Sequence, residues 1–160
     1  MLTSDRLPVG VTSFGKPPEM PTLPAKQFTT ACHAAARLAG GFVGWVAGCE
    51  GQAAVNFHRA SPWLAEQRIL VLCNYLYPFL AFVPTGQAGF GQRTFLAPGP
   101  LGQAFAEATD LQPLDLAFLT APLAPGLLEV FHVQKRHELR YWRGCSMAEC
   151  VDDVIFNNWD

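Results

Sequence analysis

The sequence predicts an α+β domain, with one antiparallel or mixed sheet and helices packed on it. Three observations carry this. Half of the 160 residues are hydrophobic and only 15% are charged, which suits a sizeable core and is too apolar for a disordered chain. Segments with a helical period alternate with segments of period two. The strand-like segments are joined as hairpins and not as regular βαβ units. The expected organisation is a proline-rich arm over residues 1–24 and a single domain over residues 25–160.

The arm carries Pro8, Pro17, Pro18, Pro21 and Pro24, and each fixes φ and lacks an N–H, so helix and central strand are both disfavoured. From Ala25 the period becomes helical. Phe28, Cys32, Ala35 and Ala39 share a stripe, joined by Ala31 and Leu38, and Gly40-Gly41 stops the helix. The next stretch alternates on both sides of Cys49-Glu50-Gly51, the pattern of an antiparallel hairpin. Val43, Trp45 and Ala47 are expected on one face of its first strand, with Val55 and Phe57 on one face of the second. Ser61-Pro62 reads as an N-cap and first-turn proline opening a short helix through Glu66.

Ile69 to Cys73 is unbroken and apolar, as expected of a strand buried on both faces. The chain then turns over residues 74–78 and returns as a strand from Phe79 to Val83. A short strand is expected from Arg93 to Leu96, and a helix carrying Leu101, Ala104, Phe105 and Ala108. Residues 111–126 read as a helical turn and packed loop, and residues 127–143 as a second hairpin with Lys135, Arg136 and His137 at its tip. Ser146 and Glu149 have capping-box spacing ahead of an amphipathic helix bearing Met147, Cys150, Val151, Val154 and Ile155. Phe156 and Trp159 are large aromatics that need something to pack on, so Trp159 is expected to fold back onto the body.

The formal net charge of −2 leaves no global footprint for nucleic acid. The start of the chain has no apolar signal core, and the longest apolar run is broken by Asn74 and Pro78, so no membrane span is expected and a cytoplasmic protein follows. Five cysteines stand singly in apolar segments, the usage of reduced, buried thiols.

No nucleophile motif, metal-ligand spacing or phosphate loop stands out, so no catalytic residue, metal site or cofactor is expected. Cys32 and His33 are neighbours, but adjacent helical residues point about 100° apart and cannot pair. His58, His132 and His137 lack metal spacing. Charge is segregated near the end of the chain. Arg136 and Arg140 sit with Trp142 in the second hairpin, and Glu149, Asp152 and Asp153 follow on the helix face opposite its apolar stripe. That face is expected to be solvated, where carboxylates keep ordinary pKa values. These six residues are the expected partner-binding set.

The ending VIFNNWD, after a tryptophan strand and a short helix, resembles small bacterial immunity-type proteins of toxin systems. The resemblance covers about the last twenty residues and implies a non-enzymatic protein that occludes a basic toxin domain. Two other readings stand beside it. One is a subunit of a larger assembly. The other is a small hydrolase built on Cys73 with His58 or His132, which requires a thiol of depressed pKa.

Overall fold

A computed structural model describes residues 7–8, 10–11, 21–52, 55–86, 93–124 and 150–156. Its sheet has five strands in the order β1-β2-β3-β4-β5. These are β1 (Phe42–Ala47), β2 (Phe57–Leu64), β3 (Gln67–Asn74), β4 (Phe79–Pro84) and β5 (Gln112–Pro113). The first four pair antiparallel and β5 joins β4 in parallel, so the sheet is mixed. The helices are α1 (Ala25–Leu38), α2 (Gly99–Ala108), α3 (Leu116–Leu119) and α4 (Val151–Ile155). The α+β class is the one the sequence predicts.

Helix α1 begins after Pro24, which offers no side-chain cap. The cap comes from elsewhere, because Glu50 Oε1 accepts the Ala25 N–H at 2.5 Å. Gly48 makes that approach possible, since a Cβ there would collide with Glu50 and Ala25. The buried stripe is Phe28, Ala31, Cys32, Ala35 and Ala36. Ala36 takes the margin expected of Leu38, and Leu38 is left 55% exposed. Gly40, at φ +77°, ends the helix as expected.

The first hairpin is present with a longer connection than its sequence suggests, and it carries two corrections. Val43 pairs with Pro62 and Trp45 with Ser61, so a bulge lies between them. Adjacent strand residues face opposite ways, and Val43 and Trp45 therefore do too, although period two alone put them together. The second correction is larger. Ser61 to Leu64 is the end of β2 and not a helix. Pro62 is tolerated there because the β2–β3 ladder is recorded at Ala60↔Val71 and next at Trp63↔Arg68, skipping the proline. The chain then reverses through Ala65 and Glu66, both at positive φ (45° and 65°). Two central residues at positive φ make a hairpin of the type usually written Asn-Gly. With Ala-Glu in place, the signal was invisible.

Strands β3 and β4 are buried as expected, because both faces of the sheet are covered. One face carries Phe28, Cys32, Val71, Cys73, Leu80, Phe82, Leu101 and Phe105, under α1 and α2. The other carries Phe57, Leu70, Leu72, Ala81, Val83, Leu119, Val154, Ile155 and Phe156, under α3 and α4. Val11 of the proline-rich arm is fully buried in this second cluster, with Leu7 packed against it. The segment expected as a strand from Arg93 to Leu96 makes one bridge, Leu96 to Phe82. Helix α4 starts later than its apolar period suggests: Cys150 is extended and is the N-cap, and Val151 is the first helical residue. The second hairpin, Ser146, Met147, Glu149 and Trp159 lie outside the described residues.

Candidate functional site

Of the expected partner-binding set, Arg136, Arg140, Trp142 and Glu149 lie outside the described residues. Asp152 and Asp153 do not share a solvated face. Asp152 is buried, its side chain 8% exposed, with Oδ2 3.9 Å from Nη1 of Arg93. Asp153 is half-buried and caps its own helix, its Oδ2 accepting the Cys150 N–H at 3.1 Å. The apolar period marked one side of α4 correctly, but Arg93, far away in sequence, covers the other. Burial, aided by the adjacent Asp153 charge, outweighs Arg93 and pushes the Asp152 carboxyl up to about 7. The ordinary pKa expected for this face is therefore wrong at Asp152. Arg93 donates from Nη1 to the Phe156 carbonyl at 2.6 Å and lies over the Phe57 ring. Ligand atoms of Cys150, Asp152 and Asp153 lie within 4.8 Å of one another, a closeness that the capping geometry explains.

The Cys73 and His58 pair is brought together, since the two are directly opposed across β2 and β3. Their chemistry is nevertheless committed to the fold. His58 is fully buried. Its Nδ1 accepts the Cys49 N–H at 3.1 Å, so Nε2 carries the hydrogen and donates to the Leu23 carbonyl at 2.7 Å. The ring also stacks on Phe28 and meets Tyr75 edge-on. Burial holds the Cys73 thiol well above its ordinary pKa, and Cys32 likewise. Cys49 is pushed up to about 12 by burial and then by Glu50. A depressed thiol pKa, which the hydrolase reading requires, is the reverse of what burial produces at these three cysteines.

Nearby, Asn56 and Asn74 are fully buried and tie three distant segments together. Both side-chain amides donate to the carbonyls of Val11 and Ile155, at 2.6 to 3.1 Å. Asn74 Oδ1 accepts the N–H groups of Leu76 and Tyr77. These two residues join the proline-rich arm, the sheet and α4.

The outer end of the sheet is different. Phe42 on β1 is 64% exposed and Trp45 38%. Phe42 stacks on Trp63 of β2, with ring centroids 6.2 Å apart and planes 6° from parallel. Arg68 lies over the Trp63 ring at 5.8 Å and is steadied by Ser61, whose Oγ accepts from Nε at 2.6 Å. A groove of about 430 Å³ opens here, lined by Gly40, Gly41, Phe42, Trp63, Ala65 and Glu66. Gly41 is required by contact, because a Cβ would strike the Trp63 backbone. The positive-φ turn at Ala65 and Glu66 forms part of the rim, and backbone strain of this kind gathers at functional surfaces.

This surface was missed as a site, although one signal was present. No charged residue occurs from Leu38 to Cys49, and the low overall charge already favours an exposed apolar patch. What the sequence lacked was the bulge that turns Trp45 away from Val43. Comparison with protein-family models, curated proteins and solved structures finds no match to this chain. No described helix is long and apolar enough to cross a membrane.

Proposed function

We propose that this chain is a non-enzymatic binding protein that acts by covering its partner, as an immunity-type inhibitor covers a toxin. The observation that carries the reading is the aromatic end of the sheet, where Phe42 and Trp45 are exposed and Phe42 stacks on a half-buried Trp63 beside a groove. Exposed aromatics with an anchored arginine are the residue types that dominate binding energy at protein interfaces. The reactive-looking groups of the interior support the same reading, because Cys73, His58 and Asp152 are each spoken for by packing or internal bonds. This reading sets recognition on β1 and β2, whereas the sequence pointed to Arg136, Arg140 and Trp142 of the second hairpin with Glu149, Asp152 and Asp153 of the last helix.

The test is co-purification with the products of adjacent genes, followed by Phe42→Ser and Trp63→Ser. Each substitution is expected to weaken capture of a partner by about tenfold or more, in the range of interface anchors. Phe42→Ser is expected to lower folding stability by about 1 kcal/mol or less, the loss of one largely exposed cross-strand aromatic pair. A partner held equally well by both variants contradicts this surface.

A further inference from the structure

Strand β1 is the first strand of the sheet, and among the described residues nothing pairs with its outer edge. Such an edge presents unpaired N–H and C=O groups to any extended chain. Proteins usually protect it with charge, proline or a bulge; Phe42–Ala47 reads FVGWVA, has neither charge nor proline, and has its bulge between Val43 and Trp45. The segment is also complementary to itself. Placed against a second copy in antiparallel register, about a two-fold axis between Gly44 and Trp45, Phe42 stands opposite Ala47, Val43 opposite Val46, and Trp45 opposite Gly44. Each large ring meets a small residue, and valine meets valine.

The faces agree as well. Val43 and Val46 both pack toward the cluster under α1. Phe42 and Ala47 pair with Trp63 and Arg59, which are four residues apart on β2 and therefore share the opposite face. The bulge between Val43 and Trp45 falls at the axis in both copies, so the two distortions coincide. Because the edge is uncharged from Leu38 to Cys49, self-pairing brings no like charges together, whereas a charged strand would find no counter-ion there.

We infer that two copies of this chain pair through β1, joining their sheets edge to edge about that two-fold axis. A symmetric contact of this kind closes on itself and does not propagate. The pairing stands on the strand alone, and it sets the two aromatic ends on one continuous face, doubling the surface assigned above.

Sedimentation velocity of the full chain over a range of concentrations is the test. The expected result is a reversible species of twice the chain mass. Trp45→Lys is expected to weaken self-association by about tenfold or more through like charge at the axis, and Phe42→Lys to weaken it by placing a lysine on the edge and losing the ring that packs on Ala47, with far-UV circular dichroism reporting the fold. Leu38→Lys, which removes an exposed apolar residue outside the strand, is expected to leave it unchanged. Mixing Phe42→Cys with Ala47→Cys chains under mild oxidation is expected to cross-link them as a heterodimer. A monomer at every concentration overturns the inference, as does a dimer indifferent to both lysine variants. An unmodified chain that stays monomeric yet captures a partner through Phe42 and Trp63 overturns this inference alone, whereas a dimer whose partner capture ignores Phe42→Ser and Trp63→Ser overturns the binding surface alone.

Discussion

The two ends of β2 illustrate opposite uses of polar and apolar groups. At its start, Asn56, Phe57 and His58 are sealed, and every polar atom of His58 meets a backbone partner. At its finish, Trp63 is only partly covered and stacks on an exposed Phe42. The sealed end joins segments that are remote in sequence, and an unmatched polar atom there would cost stability. The open end makes few such demands and leaves apolar area in water, which a binding partner can remove. Residues that look reactive serve the fold, and residues that look like misplaced core are the ones left in water, where the proposed recognition would use them.

The largest expected effect is at the sealed end. Asn74→Leu takes the Oδ1 acceptor from the N–H groups of Leu76 and Tyr77 and one of two amide donors from the Val11 and Ile155 carbonyls, which keep Asn56. A loss of about 3–5 kcal/mol is expected in urea denaturation, since each buried unmatched group costs about 1–3 kcal/mol and the sites are not additive. A loss below about 1 kcal/mol would break the contrast between the two ends.

Asp152 sharpens it by pH. Its carboxyl stands at about 7 in the folded protein against an ordinary 3.8. Between those values the folded state binds more protons than the unfolded state, so this group makes stability fall as pH rises from about 4 to about 7 and level off above. Asp152→Asn is expected to remove that slope. Between pH 5 and pH 8 the parent should lose on the order of 2 kcal/mol more than the variant, read from denaturation midpoints at both pH values.

The smallest effect lies at the open end. Replacing Ala65-Glu66 by Asn-Gly supplies residues suited to positive φ and is expected to add about 1 kcal/mol, measured as a raised melting temperature.

What the sequence revealed follows the range of the interactions. Helix α1, strands β3 and β4 and helix α2 were legible because local period and breakers specify them. The end of β2 was not, because Ser61-Pro62 imitates a helix start and the Ala65-Glu66 turn lacks its customary residues. The burial of Asp152 depends on Arg93, 59 positions earlier, and nothing local announces it. The surface of β1 was half legible: the uncharged run is visible in the sequence, whereas the bulge that exposes Trp45 arises only from pairing with β2.

The contrast between the sealed and open ends depends most directly on the interior thiols being closed off by packing. Alkylation of the native chain with iodoacetamide, followed site by site by mass spectrometry, tests this. Cys32, Cys49 and Cys73 are expected to react only as fast as the protein opens, and to become reactive together in denaturant. Rapid labelling of Cys73 in the native state, with a pH midpoint below that of a free thiol, would contradict the account and return the site to the Cys73 and His58 pair.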